Sequence, residues 1–254
     1  MKISEIYSSV QGEGPRVGTP TVFIRTGGCN LRCPGWGTYE HTLAGDLIQI
    51  DSPGSRHSGK RFVGCDSIFA VYPEFHKSWD TMSIQEVVEG VYAFGNIRNV
   101  CLTGGEPLIQ KNEEINFLLD ALLLRNYTVD LFTNGSRSLR HHWGFIGLSQ
   151  VAVVMDYKLP GSGEFGSFDI SNLQYLNPKK DWLKFVCKNK DDVAAAVKEI
   201  EDHNLQHFQM YFGVVWGGEL TTAELLEMPI WNYPNMRLNV QLHKYLWDPN
   251  ERRR

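Results

Sequence analysis

Three cysteines stand where thiolate chemistry is possible. Cys29-Asn-Leu-Arg-Cys33 follows directly on Thr26-Gly27-Gly28, and glycines there permit the tight turn that would aim two thiols at one point. Cys65, in Val63-Gly64-Cys65-Asp66, comes after 31 intervening residues. Three thiolates suit zinc, which would take a fourth ligand such as His41 or His57. They equally suit a 4Fe–4S cluster, where three cysteines leave one iron open to a substrate or cofactor. Spacing alone does not choose between these. Cys101 and Cys187 lie in apolar runs and read as core residues. Five cysteines is an odd number, and the opening residues lack the long apolar stretch of a secretion signal, so a disulfide framework is not expected.

The elements that must position these groups follow from periodicity. Residues 21–25 alternate and read as a first strand that delivers Cys29. Ser83-Ile-Gln-Glu86 has the form of a capping box, and Ile84, Val87, Val88 and Val91 behind it share one helical face. Residues 99–102, 128–132, 151–155, 182–186, 208–215 and 237–242 read as strands. Helical stripes fall between them at Ile115, Leu118, Leu119 and Leu122, and again at Val193, Ala196, Val197 and Ile200. Thr221 with Glu224 would cap a short helix. Alternating strands and helices imply right-handed βαβ units and a mostly parallel sheet. Six or seven strands with about four helices fall short of an eightfold barrel. The fold class expected is α/β, a partial, open β/α barrel with its site at the carboxyl ends of the strands. Residues 1–254 read as one domain, with an insertion loop at about residues 34–64; the stretch 38–61 shows little periodicity.

Thr103-Gly104-Gly105-Glu106-Pro107 follows the strand at 99–102. The glycines expose backbone, the carboxylate of Glu106 suits a ligand's amino group, and Pro107 can open a helical turn. Alone this is a common turn; beside a cysteine triad it carries weight. The net charge of −4 over 254 residues demands no polyanionic partner, and the basic run at residues 252–254 reads as a solvated tail. No run approaches the roughly 18 apolar residues of a membrane span. A soluble, cytoplasmic protein is expected.

Cysteines spaced CysX3Cys after a strand, with a downstream Gly-Gly-Glu-Pro, resemble the radical S-adenosylmethionine superfamily, although the usual third cysteine lies much closer to the second than Cys65 does. Further motifs narrow the resemblance: Ser9-Val10-Gln11-Gly12-Glu13-Gly14, Phe23-Ile24-Arg25, Cys65-Asp66-Ser67, Thr133-Asn134-Gly135-Ser136 and Gln241-Leu242-His243-Lys244-Tyr245-Leu246. In order and across essentially the whole chain, they are similar to the 7-carboxy-7-deazaguanine synthase family. That resemblance implies conversion of 6-carboxy-5,6,7,8-tetrahydropterin to 7-carboxy-7-deazaguanine with loss of ammonia.

The resemblance also implies roles for matching positions. Cys29, Cys33 and Cys65 would ligate the 4Fe–4S cluster. Gly64, Asp66, Gly105, Glu106, Asn134 and Lys158 would hold S-adenosylmethionine. Val10, Gln11, Gly12 and Glu13 would meet the polar edge of the pterin. Arg25 would fork onto its carboxylate, with Thr103 and His243 as further contacts. Ser67 stands where the family has a magnesium-binding threonine, and its hydroxyl keeps an oxygen donor for Mg2+. Asp156 and Tyr157 replace the family's Ser-Pro before Lys158, and Val215-Trp216 replaces a late Gln-Pro. Family members end near Pro249 with the terminal carboxylate facing the substrate, whereas this chain runs on to Arg254. An external flavodoxin-like one-electron reductant and a homodimer are implied in the same way, with no direct nucleic-acid or membrane partner.

Plainer readings stand beside these. Lys184, in a strand, reads as a stem reaching to the surface and takes no role. His141 and His142 read as surface residues, because neighbours on regular structure point apart. A glycyl-radical activase would share the cluster and Gly-Gly-Glu without needing Gln11, Gly12, Glu13 or His243. A zinc-stabilised nucleic-acid module would need a basic face, which the net charge of −4 disfavours.

Overall fold

A computed structural model describes residues 1–44, 47–51, 60–247 and 253, with side chains left aside for residues 38–63. In chain order the strands and helices are β1 (Lys2–Val10), β2 (Pro20–Thr26), β3 (Thr38–Ala44), β4 (Leu47–Asp51), β5 (Lys60–Val63), α1 (Ile68–Val71), β6 (Asp80–Thr81), α2 (Ile84–Tyr92), β7 (Asn99–Gly104), α3 (Asn112–Leu123), β8 (Thr128–Thr133), α4 (Trp143–Ile146), β9 (Val151–Tyr157), β10 (Trp182–Cys187), α5 (Lys190–Asp202), β11 (Gln209–Val214), α6 (Thr222–Leu226), β12 (Met236–Leu238) and α7 (His243–Leu246).

Nine strands form one open sheet in the order β12-β11-β10-β9-β8-β7-β2-β1-β6. From β2 to β12 neighbours run parallel; β1 pairs antiparallel with β2 on one side and β6 on the other. The open α/β architecture is therefore the expected one, with more strands. β1 escaped the sequence reading, so Cys29 follows the second strand rather than the first. The last expected strand, at 237–242, ends at Leu238 instead, and Leu242 belongs to the turn that opens α7.

Alternation along the strands sorts side chains to two faces. Val22, Ile24, Val100, Leu102, Val129, Leu131, Val153, Met155, Leu183 and Phe185 pack in the main core, together with the apolar stripes of α2, α3 and α5. Their neighbours in sequence, Phe23, Arg25, Thr103, Phe132, Val154, Asp156 and Lys184, line a cavity on the opposite face. Ser83 and Glu86 close the reciprocal capping box that starts α2, and Thr221 with Glu224 does the same for α6.

The stretch read as an aperiodic loop is partly regular. β3 pairs antiparallel with β4 and with β5 in a separate three-stranded sheet. At its base the Gly64 N–H donates to the Gly37 carbonyl at 3.0 Å and Thr38 pairs with Val63, so the excursion leaves the fold and returns at one point. The Gly, Ser, Pro and His residues scattered through 38–61 hid it from a periodicity reading.

Candidate active site

The Cys29–Cys33 turn is braced by side chains from other strand ends. The Leu31 N–H donates to Cys29 Sγ at 3.3 Å, and Asn134 Nδ2 lies 3.7 Å from the same sulfur. Glu164 Oε1 accepts from the Arg32 and Cys33 amides at 2.7 and 3.3 Å. Cys33 adopts a left-handed conformation (φ 46°), which turns the chain sharply after the second thiol. Cys29, Cys33 and Cys65 all line one cavity of about 310 Å³ at the carboxyl ends of the parallel strands.

Burial pushes these thiols up, to about 12 for Cys29 and Cys65 and about 11 for Cys33, and each of the three feels the charge of another while Lys158 pulls the other way. Thiols so placed stay protonated at neutral pH unless a metal takes the proton's place. Among the described residues no three His, Cys, Asp or Glu side chains converge tightly enough for a single ion. Three neutral thiols around one cavity, with a lysine among them, fit an iron–sulfur cluster. His41 and His57 offer no test, since their side chains lie outside the described residues.

Gly105 is required by packing: a Cβ there would stand 2.0 Å from the Gly28 carbonyl oxygen. The loop after β7 thus crosses directly over the turn that leads into Cys29, and the Glu106 N–H donates to the Gly28 carbonyl at 2.8 Å. Glu106 is fully buried. Its Oε1 accepts from the Leu108 N–H at 3.0 Å and the Thr133 hydroxyl at 2.8 Å, and its Oε2 from the Asn134 N–H at 2.7 Å. Burial raises its pKa against those hydrogen bonds, so a cation arriving in the cavity would be welcome beside it. Lys158 Nζ sits 3.0 Å from Asp156 Oδ2 and 4.1 Å from the Trp36 ring centroid. Although burial opposes its charge, Asp156 keeps the lysine protonated. A buried carboxylate and a buried ammonium in one cavity match the two ends of an amino acid, so these residues fit the methionine moiety of S-adenosylmethionine. Asp156 lines the cavity, whereas Tyr157 turns into the core and pairs with Glu199. Gly64 does not reach the cavity; a Cβ there would stand 2.5 Å from the Arg32 carbonyl oxygen, which explains the glycine by packing alone.

Arg25 occupies another wall. Nη1 donates to Ser67 Oγ at 3.0 Å, Nη2 to Tyr7 Oη at 3.4 Å, and Nε faces Glu5 Oε2 at 3.4 Å. Burial works against its charge, but Tyr7 and Glu5 hold the guanidinium protonated. Asp66 is half-exposed and its carboxyl lies well below the usual range, chiefly through Lys244 Nζ at 2.9 Å. Ser67 and Asp66 thus place oxygen donors beside the cavity, a set that fits a Mg2+ taking its other ligands from substrate and water.

Gln11, Glu13, Lys184 and His243 form the remaining polar wall. Glu13 Oε2 lies 2.5 Å from Lys184 Nζ. Burial alone would raise Glu13, but the Lys184 charge lowers it, and burial keeps His243 below its ordinary value. Gly12 makes this possible, because a Cβ on it would stand 2.3 Å from His243 Nδ1. Val10 and Thr103 line the same cavity, as does Trp216.

A search for the chain's relatives finds full-length matches. The 7-carboxy-7-deazaguanine synthase of Leptospira interrogans is 31% identical over 257 residues, covering 96% of this chain and 94% of its own. That of Clostridium acetobutylicum is 32% identical over 256 residues, covering 99% and 98%. The chain belongs to the 7-carboxy-7-deazaguanine synthase family. Membership makes it a radical S-adenosylmethionine enzyme. Among solved structures, the crystal structure of QueE from Escherichia coli superposes with a TM-score of 0.62 at 19% identity, covering 95% of this chain and 94% of that one, which shows a shared fold. No family model matches.

Seen against the synthase family, the structure brings together every motif residue expected at the site except Gly64 and Pro249, the latter lying outside the described residues. It adds Glu5, Tyr7, Asp156, Lys184 and Lys244 to the cavity wall. Lys184 is no surface stem, being 9% exposed. A charged residue between apolar neighbours in the middle of a buried strand was the available signal. His142 is also buried rather than superficial, with Nδ1 2.7 Å from Asn116 Oδ1. The C-terminal basic run is not wholly solvated: Arg253 Nε reaches Glu5 Oε1 at 3.3 Å. Among the described residues no helix is long and apolar enough to cross a membrane.

Proposed function

We propose that the chain converts 6-carboxy-5,6,7,8-tetrahydropterin, with loss of ammonia, to 7-carboxy-7-deazaguanine, the product for which its relatives are named. The observation that carries this reading is one cavity lined together by three cysteines, an arginine and a Gln–Glu–His group. A 4Fe–4S cluster held by Cys29, Cys33 and Cys65, with S-adenosylmethionine bound, would supply the one-electron radical chemistry that the reaction needs.

The residues bind, orient and exclude water. Cys29, Cys33 and Cys65 would hold the cluster, with Asn134 donating toward Cys29. Glu106 would receive the amino group of S-adenosylmethionine, and Lys158 its carboxylate, with Gly105 and Asp66 close by. Arg25 would grip the substrate carboxylate, a planar fork suited to bidentate pairing. Gln11 and Glu13 would accept and donate along the guanine-like edge, with Val10, Gly12, Thr103 and His243 around it. His243, held neutral by burial, can take up or give a proton as the ring loses its amine. Ser67 would bind Mg2+ beside the substrate carboxylate. The whole chain acts as one domain, in this reading as a cytoplasmic homodimer fed by an external flavodoxin-like reductant.

The test is anaerobic reconstitution with iron and sulfide, then incubation with S-adenosylmethionine, dithionite, Mg2+ and 6-carboxytetrahydropterin. Mass spectrometry should detect 7-carboxy-7-deazaguanine. If 5′-deoxyadenosine forms without it, the pterin is the wrong substrate.

A further inference from the structure

Lys184 lies in the middle of β10, on the cavity face of the sheet, and is 9% exposed. Its neighbours in the sheet are set by register: Asp156 stands opposite it on β9 and Tyr211 on β11. Asp156 is already paired with Lys158 at 3.0 Å. Lys184 instead reaches Glu13 Oε2 at 2.5 Å, with the Phe132 ring centroid 6.0 Å away. An ammonium carries three N–H donors, and among the described residues Glu13 is the one hydrogen-bond acceptor recorded for Lys184. Two donors are left for a ligand in the cavity.

This wall therefore offers a donor-only group next to an acceptor-only group. A pterin presents the complement, a 4-oxo acceptor adjoining the N3–H and 2-amino donors. With Glu13 taking the N–H edge, the ammonium beside it falls next to the oxo group. We propose that Lys184 reads the 4-oxo group of the pterin and thereby makes the enzyme prefer 4-oxo over 4-amino rings. This rests on the pterin reading of the cavity given above. Glu13 separates the rings too, because a 4-amino ring has no N3–H to give it, so the direct contact is isolated by the change in the ratio on replacing Lys184: a lysine that merely neutralised Glu13 would leave that ratio where it was. The penalty for the wrong ring is specific: a 4-amino group would set donor against donor in a dry site.

The experiment uses the reconstituted enzyme with S-adenosylmethionine and measures binding of pterin-6-carboxylate and of 2,4-diaminopteridine-6-carboxylate by calorimetry. The wild type should favour the 4-oxo ligand by roughly 100-fold or more, the scale of a buried polar group left facing a mismatched partner. Lys184→Met should lower the ratio by roughly tenfold or more, leaving the share that Glu13 contributes. Lys184→Gln, which keeps a polar group against Glu13 and guards against a folding failure, should do the same, because its amide can turn to accept from a 4-amino group. Lys184→Arg, again donor-only, should retain the preference. A ratio unchanged in Lys184→Met or Lys184→Gln overturns the proposal, as does a wild type without preference or variants that weaken both ligands equally. If the wild type binds neither ring, the pterin reading falls with it.

Discussion

Arg25 is held on three sides, by Ser67, Tyr7 and Glu5, and that pre-ordering is what lets a long side chain bind without a large loss of rotamer freedom. Arg25→Ala should weaken apparent affinity for 6-carboxytetrahydropterin by roughly 100-fold, the scale of a lost charge-assisted pair. Formation of 5′-deoxyadenosine from S-adenosylmethionine should persist, because the cysteines and Glu106 lie elsewhere on the wall. Unchanged substrate affinity would remove Arg25 from its role. Glu106 presents the opposite situation: its oxygens are engaged by two backbone amides and a hydroxyl. Glu106→Gln places an NH2 group against one of those donors and should lower stability by about 1–3 kcal/mol, read from the denaturant midpoint before any assay of turnover.

At the scale of elements, the site is a set of strand ends. Cys29 leaves β2, Glu106 leaves β7, Asn134 leaves β8 and Lys158 leaves β9, so parallel pairing delivers cluster and cofactor residues side by side. The β3–β5 sheet is different, because it begins and ends at the Gly37–Gly64 contact. Replacing residues 39–62 by Asn-Gly would leave Thr38 and Val63 joined by a two-residue hairpin turn. That variant should bind iron and turn over at a rate within a few-fold of the parent. A folded variant that no longer loads iron would mean the small sheet itself holds Cys65 in place.

For the molecule as a whole, pH acts through buried groups. His142 is buried, and its pKa falls to about 4, chiefly by desolvation. The unfolded chain, near the ordinary value of about 6.5, binds the proton first. Stability from this group is therefore complete above about pH 6.5 and drains away as pH falls toward 4. His243 shifts in the same direction, so the contribution is isolated by comparison. His142→Gln should flatten the pH dependence of unfolding free energy in that window by on the order of 2 kcal/mol. Parallel slopes for both proteins would show that His142 titrates normally.

Local pattern alone determined much of this protein. The apolar stripes of α2, α3 and α5, both capping boxes and six of the parallel strands rest on neighbours within a few residues, which a single sequence displays. The cysteine spacing and the Gly-Gly-Glu-Pro motif were equally legible, since both are contiguous. β1 and the β3–β5 sheet were not, because neither stretch shows the clean apolar–polar alternation by which a strand is read from sequence. Only the tertiary structure decided that Lys184 meets Glu13, 171 positions away, that Glu5 backs Arg25, and that Gly12 and Gly105 are glycines to admit His243 and the Gly28 carbonyl. Those facts depend on which strand ends the register brings into one cavity, and register is settled by packing across the whole sheet.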